Sequence, residues 1–537
     1  MFEVLELFRI RFAGRPLLLS LLLTAGLLIL TRRRAPLAAT SVRAVVRAMA
    51  AIGFAALIFY AGIAIYYARN PHYYDYAEPT MTAVAWIYEQ GQPIHHAIDS
   101  ASRYAHMYGP MAFIPHGIAL RVFGPSIAAS KWLGVGAALF SLAFLYLSLR
   151  AQVDARRAAA FTGWCALLYL TFRNLTFWTR PDPLQILCMS VGLFAASRLG
   201  ATAPVFLGVT AGVLLNLKIT GPLYSLPIFT LLYARRGLRS VILAAAIGLA
   251  VAVLPFVALP NVSLESYLLW VRLSARNGLL LSTLRQNIEW ALYFLLPVLL
   301  AYYANRSGTN PQSRESRWML GGLLAGVCGT VLAASKPGAT VYHLVPFLPP
   351  IFYLTASDVR SLDPTTIRDR AIVPAAAAFV VTALVLAIAQ QGTFLNAFRL
   401  RSGLDEPADI VRFLDAHPGA VVEMGYGRDD RPTLVRPIVV FRSGTYLLDA
   451  PAVQEHQLSG IEIPPATIAA LRACAVDYWL IPQGEEPFTG PNKYPAILLK
   501  PLFPESFRQA FFESYERDGR TQYYDVWQCR PGIKPRR

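Results

Sequence analysis

Two carboxylates three residues apart are the side chains best placed for acid–base chemistry. Asp75 and Glu78 lie in the stretch 72–79, His-Tyr-Tyr-Asp-Tyr-Ala-Glu-Pro, which directly follows a long apolar run. If this backbone is helical, both carboxylates project on one side and can meet the same substrate. Acids and aromatics at a membrane surface suit a polar head group, and a positioned carboxylate can act as a general base. The alternative is a solvated loop with interfacial tyrosines.

The acids open a polar segment, residues 69–126, that is long and aromatic for a simple connection between membrane spans. Loops of this length are usually functional or disordered, and this composition is not that of disorder. Arg103 and Tyr108, in the run Arg-Tyr-Ala-His-Met-Tyr-Gly-Pro, are its candidate substrate-binding residues. The segment is therefore predicted to cover a bound substrate.

A second group of candidate residues lies at the ends of later apolar runs. Its members are ionisable and fall on one predicted side of the membrane: Arg180, Asp182, Lys218, Lys336 and His343. Ionisable residues beside membrane spans are costly and mark function, although Lys and Arg can also snorkel to the interface as anchors. Cations stabilise a departing phosphate. The group predicts a binding site for a lipid-linked phosphosugar.

The composition indicates an integral membrane protein. Of the 537 residues, 55% are hydrophobic and only 15% are charged, below the quarter typical of soluble proteins. The formal net charge of +17 is dispersed in short clusters between apolar runs and forms no continuous basic face, so nucleic acid is not an expected partner. The basic clusters are better interpreted as topology signals.

About twelve apolar runs are long enough, or nearly so, to cross a bilayer. They lie near 16–31, 45–68, 127–149, 158–173, 183–199, 204–217, 222–234, 241–259, 289–304, 318–334, 343–357 and 371–390. Arginines cluster in every second connection, which predicts that side to be cytoplasmic and the segment 69–126 to be extracytoplasmic. Residues 1–15, which carry three arginines, would then lie outside, and an interfacial amphipathic helix is possible there.

From about residue 403 the chain becomes charged and proline-rich, which predicts a small extracytoplasmic α/β domain. The predicted domains are a transmembrane domain over 1–390 and this soluble domain over 391–537. Its predicted helices are 408–416, 465–474 and 504–515, and its predicted strands are 420–424, 476–481 and 523–528.

The five cysteines show no metal-ligand spacing, and neither a metal nor an organic cofactor is predicted. Cys474 and Cys529 are the two cysteines of the C-terminal domain. A disulfide between them is expected if the domain lies outside the cytoplasm. The alternative is a pair of buried free thiols.

Taken in order, several short motifs resemble those of GT-C glycosyltransferases, in the branch of protein O-mannosyltransferases and lipid A aminoarabinose transferases. The motifs are the acids Asp75 and Glu78, Gly-x-Pro-Ile from Gly91, Tyr-Gly-Pro from Tyr108, Arg-Pro-Asp from Arg180, Lys-x-Thr-Gly from Lys218, and Lys-Pro-Gly-Ala from Lys336 with His343. The resemblance covers roughly residues 45–390. Compared with protein mannosyltransferases, the chain has Asp-x-x-Glu in place of adjacent Asp-Glu, and an extra apolar run before the acidic loop.

The resemblance implies an inverting transfer from a polyprenyl- or dolichyl-phosphate sugar to a lipid, glycan or protein acceptor. Asp75 is the implied base and Glu78 the reserve, with the active site outside the cytoplasm, in a bacterial inner membrane. A transporter or flippase of a polar lipid is the alternative, but it does not readily explain the long first loop and the soluble domain. A polysaccharide polymerase or ligase would also be a glycosyltransferase, with its major soluble loop expected between spans.

Overall fold

Long apolar runs form helices in the computed structural model, which describes residues 14–33, 39–173, 175–306, 313–359, 372–429, 431–492 and 500–533. The helices, in chain order, are α1 (Pro16–Arg33), α2 (Ala39–Arg69), α3 (Ala77–Glu89), α4 (Ile114–Phe123), α5 (Ile127–Leu149), α6 (Ala155–Leu170), α7 (Pro181–Arg198), α8 (Ala203–Leu217), α9 (Gly221–Arg236), α10 (Leu238–Ala258), α11 (Leu264–Ser274), α12 (Leu281–Arg306), α13 (Arg314–Ala333), α14 (Leu348–Val359), α15 (Ile372–Ser402), α16 (Glu406–Ala416), α17 (Pro437–Ser443), α18 (Ala450–Leu458), α19 (Pro465–Arg472) and α20 (Glu505–Ser514). The possible interfacial helix over 1–15 falls almost wholly outside the described residues.

Six helical segments are long and apolar enough to cross a membrane, counted over the described residues. They are Thr40–Arg69, Ile127–Leu149, Gly200–Leu217, Leu238–Ala258, Arg314–Ala333 and Ile372–Ala416. Helices satisfy all their backbone hydrogen bonds internally, as the bilayer interior requires. The predicted polytopic helical membrane protein is thus confirmed, while the count of about twelve spans stays a prediction because several of the remaining helices are short.

By its internal contacts, the chain divides into two compact units. The helical unit comprises Met1–Tyr67, Gly134–Val253 and Leu279–Ala397. The mixed unit comprises Ala68–Leu133, Leu254–Gly278 and Phe398–Arg537. The long first loop and the C-terminal region therefore belong to one unit. The predicted division into domains 1–390 and 391–537 stays a prediction.

Close helix packing in the helical unit depends on small residues. A Cβ atom on Gly163 of α6 would lie only 2.8 Å from the Cα atom of Gly53 on α2. Nearby, the indole Nε1 of Trp164 donates a hydrogen bond to the carbonyl of Met49 at 2.8 Å. Glycines let helix backbones approach closely where lipid provides no hydrophobic driving force for association.

The mixed unit contains a four-stranded sheet in the order β1 (Val422–Met424), β2 (Tyr478–Pro482), β4 (Tyr524–Cys529), β3 (Tyr515–Arg520). The β1–β2 pair is parallel, and the other two pairs are antiparallel. Three strands and three helices fall where the sequence predicts them, with ends shifted by a few residues. The sequence analysis missed β3, whose letters Tyr-Glu-Arg-Asp-Gly-Arg are mostly polar and exposed because it is an edge strand.

The predicted disulfide is confirmed. Cys474, just after α19, is bonded to Cys529 at the end of β4, and their Cα atoms lie 5.8 Å apart. The bond ties the last central strand to a core that includes Trp479, Phe488 and Phe511. The end of the chain is thereby held against the middle of the sheet.

Candidate active site

The acidic turn before α3 gives its two carboxylates different surroundings. Glu78 is fully buried, and its Oε2 accepts hydrogen bonds from the backbone N–H groups of Tyr74 at 3.1 Å and Asp75 at 2.9 Å. Asp75 is only partly buried, and its Oδ1 accepts from the backbone N–H of Ala77 at 3.0 Å. Glu78 thus fixes the turn, whereas Asp75 presents its carboxylate at the start of a helix, where the dipole favours negative charge.

Lys131, on α5, holds the backbone that leads into this turn. Its Nζ donates to the carbonyls of Asn70 at 2.8 Å and His72 at 2.5 Å, and the Arg401 guanidinium donates to the carbonyl of Tyr73 at 2.9 Å. Burial, followed by the positive charge of Lys131, lowers the pKa of His72 to about 4, so this imidazole is neutral near pH 7. A single lysine in an otherwise apolar run was the sequence signal that could have identified Lys131.

A buried ionic network lies behind the turn in the same unit: Arg436, Asp449 and His106 are buried, and Glu455 is partly exposed at its edge. Arg436 pairs with Asp449 at 2.9 Å. His106 contacts the carboxylate of Asp449 at 3.4 Å through Nε2 and that of Glu455 at 2.8 Å through Nδ1. Burial opposes the charge of His106, but the two carboxylates together raise its pKa to about 9. Two cations therefore face two carboxylates.

The network also reaches the acidic turn directly. Arg436 donates to the carbonyl of Tyr76 at 2.9 Å and to the hydroxyl of Thr80 at 2.7 Å. The hydroxyl of Thr80 donates to Asp449 at 2.9 Å. Although burial alone would raise it, Arg436 and His106 hold the pKa of Asp449 below its usual range. The network thus fixes the backbone next to Asp75, and sequence reasoning missed it because its members are far apart in the chain.

Arg103 and Tyr108 lie in the same unit, in the predicted covering loop. The buried Arg103 donates to the backbone carbonyls of Ile98 at 2.9 Å, Ser100 at 2.5 Å and Ser102 at 2.6 Å, which fixes the loop around it. Tyr108 is partly buried and stacks on the His106 ring at a centroid distance of 6.1 Å. Substrate binding by these two residues stays a prediction.

A cavity of about 460 Å³ with both polar and apolar walls opens in the mixed unit beside Tyr76, the residue that follows Asp75. Tyr76 forms part of its wall, together with Arg428, Asp429, Glu485 and Asn492. Asp429 is already paired with Arg431, so the charges at the cavity are largely balanced. The guanidinium, carboxylate and amide groups offer both hydrogen-bond donors and acceptors, which suits a hydroxyl-rich ligand. The volume is within the usual range of ligand pockets.

The helical unit brings together three of the predicted ionisable residues. Arg180 directly precedes α7, Asp182 lies in the first turn of that helix and Lys218 follows the end of α8. Lys218 Nζ contacts the Asp182 carboxylate at 2.7 Å, and Arg180 Nε lies 3.7 Å from the other oxygen. All three are buried. Two cations therefore share one carboxylate, so this cationic cluster of Arg180, Asp182 and Lys218 carries net positive charge.

Aromatic rings surround the cationic cluster. The Arg180 guanidinium lies 4.3 Å from the centre of the Trp178 ring, and the Tyr342 ring lies 5.1 Å from Lys218 Nζ. Tyr342 also stacks on His343, at a centroid distance of 4.5 Å, on the 3-10 helix Val341–Phe347. These contacts hold the cations without neutralising them, because a ring face attracts a cation but carries no net charge.

The other two predicted residues, His343 and Lys336, differ in how they relate to the cationic cluster. His343 Nδ1 lies 3.2 Å from the hydroxyl of Tyr224, and it joins the cluster through Tyr342. Lys336 lies in the turn before the 3-10 helix, and the contacts found over the described residues do not join its side chain to the cluster. No group of three or more His, Cys, Asp or Glu side chains suited to a metal ion occurs within the described ranges.

Comparison with solved structures gives the fold a known counterpart. The chain is similar to ArnT from Cupriavidus metallidurans in the apo state, with a TM-score of 0.52 and 14% identity over 92% of this chain and 99% of ArnT. ArnT bound to undecaprenyl phosphate gives a TM-score of 0.50 with the same identity and coverage. The Archaeoglobus fulgidus oligosaccharyltransferase tethered with an acceptor peptide gives 0.47, with 12% identity over 88% of this chain and 74% of that chain.

Similarity at the level of sequence is much weaker. No protein-family model matches the chain, and no curated protein matches it either. The likeness to ArnT nevertheless extends over nearly the whole length of both chains. This protein therefore has the GT-C fold that its motifs predict, a helical membrane region followed by a C-terminal domain that contains a sheet.

Proposed function

We propose that this protein is an inverting glycosyltransferase that moves a sugar from a polyprenyl-phosphate donor to an acceptor on the extracytoplasmic face of the membrane. The observation that carries the proposal is the ArnT-like fold over 92% of the chain, since one of the ArnT structures is bound to undecaprenyl phosphate. The acidic turn and the cationic cluster supply the two kinds of group that such a transfer needs.

Asp75 is the proposed general base. In a single displacement, an acceptor oxygen forms a bond to the anomeric carbon while the bond from that carbon to the phosphate oxygen breaks. The acceptor proton passes to the Asp75 carboxylate, and the polyprenyl phosphate leaves with the bonding electrons. The partial exposure of Asp75 favours it over Glu78, whose Oε2 is occupied by two backbone N–H groups in a fully buried position.

Arg180 and Lys218 are the proposed donor-phosphate ligands. Both contact the Asp182 carboxylate, so these three side chains together carry one net positive charge, which a bound phosphate would offset. Fixed cations also stabilise the charge that develops on the departing phosphate. His343, which stacks on Tyr342, is assigned a supporting role near the same anion, whereas Lys336 is kept as a candidate that would have to reach it on donor binding.

The cavity beside Tyr76 is the proposed acceptor site. Its amide and carboxylate groups suit the hydroxyl groups of an acceptor sugar, and its wall includes the residue next to the base. The proposed location is a bacterial inner membrane with this unit on its extracytoplasmic side. The Cys474–Cys529 disulfide supports the extracytoplasmic side, because disulfides persist outside the cytoplasm.

Turnover by the purified chain tests the proposal. Undecaprenyl-phosphate-linked hexoses and pentoses are supplied with candidate acceptors, and released undecaprenyl phosphate and glycosylated product are quantified. Asp75→Asn should lower kcat by about 10²–10⁴ without changing the unfolding temperature, because it removes a general base that bears little of the fold. Glu78→Gln should lower the unfolding temperature, because it weakens the turn.

Two outcomes would contradict the proposal. Near wild-type turnover by Asp75→Asn would show that Asp75 is not the base. Movement of the lipid-linked sugar across vesicles reconstituted with the protein, with no product formed from any donor, would identify a flippase instead, since the cationic cluster would also suit a transported lipid phosphate.

A further inference from the structure

A large apolar cavity, separate from the cationic cluster, lies among the helices of the helical unit. Its volume is about 670 Å³, and its walls come from α2, α6, α12, α14 and α15. Large apolar side chains line it: Phe54, Phe161, Trp164, Phe352 and Phe379. The close α2–α6 contact at Gly53 and Gly163 fixes one side of the cavity. Such a cavity is suited to hydrocarbon rather than to a polar substrate.

Three arginines lie at the rim of this apolar cavity. Arg47 belongs to α2, and Arg156 and Arg157 belong to the first turn of α6. All three are exposed. Arg157 pairs with Asp154 at 3.3 Å, but both partners are about half exposed, so this pair is worth little and leaves the rim positive. The cavity is therefore amphipathic, with a cationic rim and an apolar interior.

The rim lies at one end of the helices that form the cavity. Arg47 and Tyr67 are twenty residues apart on α2, roughly 30 Å along the axis, which matches the thickness of the hydrocarbon core. Arg156 and Arg157 open α6, and the cavity also includes the last residue of α14 and the first residue of α15. These arginine-bearing ends are the ones that the positive-inside rule predicts to be cytoplasmic.

We propose that this cavity binds an anionic phospholipid, with its phosphate on the arginine rim and an acyl chain between the aromatic side chains. Basic pockets between membrane helices on the cytoplasmic side recognise anionic head groups, and each arginine near the surface adds to the attraction. The charge complementarity favours an anionic lipid over a zwitterionic one. This proposal does not depend on glycosyl transfer. The bound lipid would stabilise or regulate the helical unit.

Native mass spectrometry of the full chain tests the proposal with palmitoyl-oleoyl phosphatidylglycerol and the matched phosphatidylcholine as probes. The wild-type protein should retain phosphatidylglycerol in preference to phosphatidylcholine. The triple variant Arg47→Gln/Arg156→Gln/Arg157→Gln should lose this preference by about tenfold or more. The matched control, Arg236→Gln/Arg239→Gln/Arg317→Gln, removes the same charge from exposed arginines of the same unit that do not line the cavity and should keep the preference.

A second variant tests the apolar interior without changing charge. Ala376→Phe fills part of the cavity and should reduce retention of phosphatidylglycerol, while transferase turnover remains measurable. Equal retention of the two lipids by the wild-type protein would overturn the proposal, as would an unchanged preference in the triple variant. The proposal would also be overturned if Ala376→Phe lost undecaprenyl-phosphate binding but kept its phosphatidylglycerol retention. That result would assign the cavity to a different lipid.

Discussion

The buried ionic network of the mixed unit and the cationic cluster of the helical unit differ in how their charges balance. In the network, Arg436 and His106 face Asp449 and Glu455, and hydrogen bonds from Thr80 complete the set. In the cluster, Arg180 and Lys218 both contact the carboxylate of Asp182, and both lie against aromatic rings. A balanced network has no need of a ligand, whereas an unbalanced buried cluster favours an added anion.

This difference assigns the two regions separate roles. The network contacts the backbone next to Asp75, and we propose that Arg436 and Asp449 are positioning residues that act through that backbone. The cluster is the part that we propose to contact a ligand. Variants of the network should therefore change stability first, and variants of the cluster should change anion binding first.

The largest expected effect comes from Arg436→Ala. It leaves the buried Asp449 carboxylate without its principal cation and should lower the free energy of unfolding by about 3–5 kcal/mol. The matched control is Arg442→Ala, whose pair with Asp415 at 3.2 Å is about half exposed and should contribute less than about 1 kcal/mol. Thermal unfolding of the purified chain in detergent measures both. Equal decreases in the unfolding temperature of the two variants would contradict a structural role of the network.

Loss of the disulfide should cause the next largest decrease in the free energy of unfolding. Cys474→Ala/Cys529→Ala opens a loop with a sequence separation of 55 residues, for which chain entropy gives about 4 kcal/mol. Cys328→Ala, at an exposed free cysteine of the helical unit, is the control and should stay within about 0.5 kcal/mol of the wild-type protein. Unfolding with and without reductant measures the difference, and an equal response of the two variants would contradict a stabilising bridge.

A smaller effect should appear as a pH dependence. Because the carboxylates of Glu455 and Asp449 raise the folded-state pKa of His106 to about 9, its stabilisation is complete below its unfolded pKa of about 6.5. The stabilisation is then lost as the pH rises towards 9. Unfolding temperatures between pH 6 and 9.5 should fall for the wild-type protein and fall less for His106→Gln. His417→Gln serves as the control, and an unchanged slope in the His106 variant would exclude this origin.

Local patterns in the sequence predicted the parts of the fold that local chemistry determines. Continuous apolar runs predicted membrane helices, and two cysteines in one soluble region predicted the disulfide. The edge strand β3 was missed because its composition is polar. The distinction between Asp75 and Glu78 was also beyond the sequence, because it depends on which carboxylate accepts the backbone N–H groups of the turn.

Long-range partners were the other limit. Thr80 and Asp449 are 369 residues apart, and no spacing rule joins them. The pairing of Lys218 with Asp182 spans 36 residues and connects two helices, so sequence predicted the two residues as candidates but not their contact. The sequence therefore predicted which residues are candidates better than it predicted which of them are in contact.

The affinity of the protein for undecaprenyl phosphate is the measurement that tests most directly whether the cationic cluster, unlike the buried ionic network, binds an anion. Lys218→Gln should weaken the affinity by about tenfold or more, since a hydrogen bond to a charged group is worth about 1.5–3 kcal/mol. Asp182→Asn should retain or strengthen binding, because it removes the carboxylate that competes with the phosphate for both cations. Arg239→Gln is the control for a change of one exposed charge. Unchanged affinity in Lys218→Gln, or equal weakening in Lys218→Gln and Asp182→Asn, would show that the cluster is a structural network and not a phosphate site.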